Sequence, residues 1–315
     1  MGVIDSLQVG FNTVARRIWL LVVPVALDIY FWLGPRLSIA GLVHRIAQGL
    51  AIPAEADPMV TDYLKGVQES LEGIGEDFNL FFLLKQEILG MPSLMSGQAG
   101  KEATAGWANP VIDLDSALVV GLAMVLISLL GLLLGCFYLD LLAGQVRRED
   151  PAFSARRLFS FWGLMILLGL IVLAALTVFA LTQGVTIAVA SVISSVLGAL
   201  LTVFWLGVML LGTVGLFFAI FTVDAVVINQ VGVLTGVRNS YEVVRRNLWA
   251  SLGFFLLVNL IGWGMPIVWR RISVNALSTL LGIAGNAFIG PDLVTASLIF
   301  YRDRYELWQA RRHLA

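Results

Sequence analysis

Residues 117–142 read ALVVGLAMVLISLLGLLLGCFYLDLL, an apolar run whose one charge, Asp140, comes near its end. About 20 apolar residues at ~1.5 Å each cross the ~30 Å hydrocarbon core of a bilayer, so this run reads as a transmembrane helix. Further runs of the same kind cover 18–34, 158–181, 199–223, 248–268 and 277–301. The whole chain agrees: 315 residues, 59% hydrophobic and 13% charged, with a mean hydropathy of +0.90, leave too little polar surface to solvate a globule. The expected fold is all-α, a polytopic helical membrane bundle of six spans with a largely helical outer loop at 35–116. The weakly hydrophobic stretch 185–198, with Ser191, Ser194, Ser195 and Gly198, is expected to be interfacial or re-entrant. Two tightly connected helices there would make seven spans.

A formal net charge of −1 excludes a protein dominated by one sign, such as a basic nucleic-acid binder, and nucleic acid is not an expected partner. Along the chain the near-neutrality separates into regions. With six spans, thirteen basic residues fall on the side of the termini, in clusters around 16–17, 147–157, 238–246 and 302–312, against seven on the other side. Basic loops stay cytoplasmic, so both termini are expected inside, in what reads as a bacterial inner (plasma) membrane. Arg270 and Arg271 are the exception, in a short outer loop. Eleven acidic residues lie in the loop 35–116, a solvated outer face or a site for a basic protein partner. Within it, 61–71 has helical periodicity, 78–89 is apolar enough to lie on the membrane or cap the bundle, and 91–110 reads as a flexible connection.

Two segments are expected to be amphipathic helices on the cytoplasmic surface, 1–17 and 226–247. A shift of 230 residues superposes Ile4, Leu7, Phe11, Val14, Ile18 and Trp19 on Leu234, Val237, Tyr241, Val244, Leu248 and Trp249, with Arg16 on Arg246. This is either a duplicated unit of surface helix, arginine, tryptophan and span, or the shared need of any amphipathic lead-in to a membrane helix. Arg16, Arg17, Arg245, Arg246, Arg302 and Arg304 are the candidate contacts to anionic lipid headgroups, and 302–315 is a basic tail.

Chemistry-bearing motifs are sparse. The two histidines, His44 and His313, fall on opposite sides; there is no HExxH, GxSxG, P-loop or dinucleotide fingerprint, and Cys136 is the single cysteine. No cofactor, metal or catalytic residue is expected. Ionisable groups inside spans carry more information, because a carboxylate at the bilayer centre costs about 2.5–3.5 kcal/mol on insertion scales. Asp28 and Asp292 lie near mid-depth, while Asp140 and Asp224 lie near inner ends where water and arginines make them ordinary. Asp292 ends the run GNAFIGPD, residues 285–292, whose Gly290 and Pro291 are expected to break the sixth span near 286–291. A broken helix lined by Asn286 and Asp292, with Asp28 and Asn259 facing it, would be an intramembrane polar site. The plainer reading is that Asp292 caps a kink.

The segments VGVLTGVRNSYEVVRRNLWASLGFFLL, 231–257, and GNAFIGPDLVTASLIFYRDRY, 285–305, resemble uncharacterised bacterial membrane proteins related to the membrane domain of glycerophosphodiester phosphodiesterases. The likeness covers the last third of the chain and implies an integral membrane protein without transferring catalytic activity. The expected function is a non-enzymatic accessory or scaffold component of the membrane; the alternative is a small transporter or channel using Asp28, Asn259, Asn286 and Asp292.

Overall fold

The computed structural model describes residues 1–50, 58–96, 110–147 and 154–314. It is all-α apart from one short strand pair. Five helices are long and apolar enough to cross a membrane: α5 (Ala117–Arg147), α6 (Ala155–Ile193), α7 (Ser195–Phe218), α10 (Leu248–Ile272) and α11 (Ala276–Leu314). A shorter apolar stretch, Ile18–Leu33, consists of a 3-10 turn and helix α2 (Val22–Leu33). Helix α1 (Val3–Ala15) precedes it, α3 (Ala40–Gly49) and α4 (Pro58–Asp77) lie in the loop 35–116, and α8 (Thr222–Asn229) and α9 (Val233–Arg246) follow α7.

Several boundaries differ from expectation. Residues 185–198, expected as an interfacial or re-entrant segment, are the last turns of α6, a break at the extended residue Ser194, and the first turn of α7. Two threonine hydroxyls of α6 bond within the helix, Thr182 donating to the Val178 carbonyl and Thr186 to the Thr182 carbonyl, both at 2.7 Å. The expected amphipathic helix 226–247 is two helices, interrupted where Gln230 takes a left-handed φ of 53° and caps α8. The basic tail is no separate segment, since α11 runs through it to Leu314.

The chain divides into two compact units. The first comprises Met1–Leu7, Ala143–Phe255 and Ala296–Ala315. In it α6 and α7 form a hairpin, fastened by Trp205 Nε1 donating to Thr186 Oγ1 at 2.8 Å and by Phe179 set edge-on to Trp205 with ring centroids 5.3 Å apart. Ser240 of α9 mends the α7–α8 break, accepting from the Phe221 N–H (3.0 Å) and donating to the Phe218 carbonyl (2.8 Å). Phe221, Phe254 and Phe300 stack beside this junction. Helix α8 is tied to α11 by Asn229 Nδ2 donating to the Tyr301 hydroxyl (2.7 Å) and Ser297 donating to Asp224 (2.6 Å).

The second unit comprises Gln8–Leu142 and Leu256–Thr295. Strands β1 (Arg36–Ser38) and β2 (Val111–Asp113) pair in parallel, Arg36 opposite Val111, and so clasp the two ends of the loop 35–116. Leu27, Phe31 and Trp32 of α2 share a core with Leu94, Met95 and Ile283. The apolar stretch 78–89 packs on helices: Phe82 sits edge-on to Phe31, and Gly131 of α5 leaves room for the backbone at Leu83 and Leu84.

Candidate functional site

Asp28 is 1% exposed, on the inward side of α2. Its carboxylate accepts three hydrogen bonds from one turn: Ser93 Oγ at 2.5 Å, Leu94 N–H at 2.8 Å and Met95 N–H at 3.0 Å. Two peptide donors and a hydroxyl supply what water would otherwise give a buried carboxylate. Residues 91–96 are therefore not a flexible connection. Met91, Leu94 and Met95 are buried and Ser93 carries the side-chain link; the remainder of that expectation, 97–109, lies outside the described residues.

Helix α11 passes through residues 285–292 without interruption, against the expected break. Pro291 lacks only the N–H that would reach the Ala287 carbonyl, and a long helix held on several sides tolerates one missing bond. The glycines of GNAFIGPD serve close packing instead. A Cβ on Gly290 would overlap the Pro92 ring, and one on Gly285 would overlap the Trp269 indole. The same turn thus grips Asp28 through Ser93–Met95 and α11 through Pro92.

Asp292, fully buried, is held differently. Among the described residues both of its carboxylate oxygens are without a hydrogen-bond partner, as is the hydroxyl of Thr295, also fully buried. Asn286, 2% exposed, leaves its Nδ2 unpaired. At 100° per residue Thr295 lies within 60° of Asp292 on the helix, whereas Asn286 is about 120° away and faces elsewhere. Asn259 of α10 is half-buried and engaged. The four expected site residues therefore all belong to the second unit, but Asp28 is committed to the 93–95 turn, while Asp292 is left with an unmet requirement. The partner of Asp28, 65 positions away, and the role of Thr295 carried no signal in the sequence. Asp224, expected to be water-exposed, is buried under Ser297.

The arginines divide as well. Arg16, Arg17, Arg245 and Arg246 are exposed, the last two paired with Glu242 at 3.3 and 3.1 Å. Burial works to raise the Glu242 carboxyl, but the two guanidinium groups outweigh it and hold it below the usual carboxylate range. Arg304 is not a headgroup contact: it is 7% exposed, donates to Asp303 and the Met1 carbonyl, and lies 3.6 Å over the Phe300 ring. Arg302 donates to the Val146 carbonyl at the end of α5 and is half-buried. In the loop 35–116 several acids already have partners, Glu72 hydrogen-bonded to His44, Glu87 paired with Lys85 and Asp115 with Arg45. Among the described residues no three His, Cys, Asp or Glu side chains converge as metal ligands would. Comparison of the chain with protein-family models, curated proteins and solved structures returned no match.

Proposed function

We propose that the protein is a non-enzymatic integral component of a bacterial inner membrane, an accessory or scaffold, with six spans formed by 18–33 and the five long helices and both termini cytoplasmic. The observation that carries this reading is the division of faces in α9. Its small-residue side, Gly236, Ser240 and Val243, is buried, while Leu234 at 82% and Tyr241 at 44% exposure point outward, followed by Trp249 at 80%. Exposed Arg238, Arg245 and Arg246 accompany them. Large apolar groups and cations on one outward side suit a helix lying at headgroup level of an anionic leaflet. Helix α1 repeats the arrangement at the shift of 230: Ser6, Gly10 and Val14 are buried, and Ile4, Ile18 and Trp19 are exposed. The resemblance to the phosphodiesterase-associated membrane domain fits a membrane component of this kind.

Anionic lipid is the test. The protein reconstituted in phosphatidylglycerol vesicles should retain that lipid through detergent exchange, and R16A/R17A/R245A/R246A should lower the retention several-fold; equal retention by the variant overturns the reading. A transporter or channel is the second reading, favoured by the unpartnered carboxylate of Asp292. Ion flux into proteoliposomes above that of protein-free vesicles, lost in D292N, would replace the scaffold with it.

A further inference from the structure

Residues 79–96 double back inside the second unit. Asn79 starts beside the strand pair, bridged to Ser38 and accepting from the Leu37 N–H at 3.0 Å. From there the chain runs along α5, the backbone at Leu83 and Leu84 against Gly131 and the side chains of Gln86 and Leu89 against Gly135. Gly90 turns it with a left-handed φ of 89°, and a Cβ there would stand 3.0 Å from Leu142 and 3.4 Å from Tyr138. The tip is closed by the bridge between Gln86 and Met91, whose N–H donates to the Gln86 carbonyl at 3.0 Å. The return limb places Pro92 against Gly290, Ser93 on Asp28 and Leu94 against Gly282, and ends with the Arg270 guanidinium 3.5 Å from the Ser96 carbonyl.

These contacts set the depth of the tip. The strand pair lies at one end of the spans, β2 ending four residues before α5 begins. Gly90 lies toward the other end. Its neighbour Leu142 is five residues, about 8 Å at ~1.5 Å each, from the end of α5, and Tyr138 donates to the carbonyl of Leu20, three residues after Arg17. Irregular backbone is tolerated at membrane depth only where protein or water surrounds it, and Leu89, Met91 and Ser93 to Ser96 are indeed buried. Two residues at the tip are not: Glu87, paired with Lys85 at 2.6 Å, has a side chain 58% exposed, and Ile88 is 79% exposed. A carboxylate exposed to hydrocarbon costs about 2.5–3.5 kcal/mol on insertion scales, a cost that disappears where the headgroups begin and water reaches it.

We propose that residues 79–96 form a re-entrant hairpin whose tip, Glu87 and Ile88, emerges at the headgroups of the leaflet opposite the strand pair, the cytoplasmic leaflet in the six-span topology. One segment, fastened in mid-course to Asp28, then joins the loop 35–116 to the far face of the membrane. This inference rests on the six-span topology and is independent of headgroup binding by the arginines.

Thiol labelling of the full chain in sealed membrane vesicles tests it. The wild type, whose single cysteine Cys136 is buried, gives the background. E87C and I88C should react with a membrane-impermeant maleimide several-fold faster in inside-out than in right-side-out vesicles. Y63C, at a position of α4 that is 72% exposed, should show the reverse preference. With Y63C reacting from the outside, E87C and I88C labelled no faster from the inside than from the outside, or from neither side, overturn the proposal. Y63C reacting from the inside overturns the six-span topology instead, and the proposal falls with it. If E87C does not fold, I88C, which alters no polar contact, decides by the same comparison.

Discussion

Removing the Asp28 carboxylate tests the most completely bonded polar contact in the second unit. Asp28→Ala strands the peptide N–H groups of Leu94 and Met95 inside a core from which water is excluded. Each buried donor left without a partner costs about 1–3 kcal/mol, so the two peptide N–H groups cost about 4 kcal/mol together, while the Ser93 O–H, which also loses its acceptor, can rotate toward another. At about 2–3 °C per kcal/mol for a chain of this size, Tm should fall by about 8–12 °C. Asp28→Asn keeps one acceptor oxygen and should lose about half as much. Ser93→Ala removes both its bond to Asp28 and the acceptor of the buried Ser96 N–H, so on top of Asp28→Ala it should cost only the second, and the two losses should be less than additive. Intrinsic tryptophan fluorescence during heating in detergent provides the readout, because Trp32 shares this core. A Tm for Asp28→Ala within 2 °C of the wild type, or additive losses in the double variant, would refute the assignment of Asp28 as the anchor of the 93–95 turn.

Three further outcomes are expected. Gly290→Ala forces a methyl into the Pro92 ring and should cost about 1–3 kcal/mol in thermal unfolding, with Pro92→Ala restoring most of it. Thr186→Val deletes the acceptor of the Trp205 indole and should loosen the α6–α7 hairpin by about 1 kcal/mol, read as faster proteolysis between residues 186 and 205. Glu242 has a lowered folded-state pKa, so its contribution is fully present above the ordinary carboxylate value and fades as pH falls through the lowered one. Since its arginine partners are about half exposed, the loss on acidification should stay below about 1 kcal/mol and vanish in Glu242→Gln.

The long helices were legible because hydropathy reports directly what a bilayer demands of a segment, and α5, α10 and α11 begin within a residue of the sequence-derived boundaries. The errors arose where local composition was read as backbone behaviour. Ser191, Ser194, Ser195 and Gly198 suggested an interfacial or re-entrant stretch, but α6 runs on to Ile193 and the backbone leaves the helix only at the extended residue Ser194. Gly290 and Pro291 suggested unwinding, but one glycine makes room for Pro92 and the proline forfeits a single bond. The partners of Asp28 and the pairing of β1 with β2 join residues more than 60 positions apart over three residues each, too short for any periodicity to announce. Asp292 was visible as a deep carboxylate; that no described residue would hydrogen-bond it was not.

The length of α6 has its own implication for the lipid. From Leu158 to Ile193 it carries no charge, about 54 Å of apolar helix at 1.5 Å per residue, against a hydrocarbon layer of about 30 Å. Matching the two by inclination alone would require about 56° from the bilayer normal, beyond the roughly 0–40° that spanning helices adopt. Even at 40° about ten residues are left over at the far end, where Val189, Val192 and Val196 stand exposed. A bilayer holding this hairpin must thicken around it or leave an oily tip protruding into the headgroups, so hydrocarbon thickness becomes a variable to which this protein is coupled.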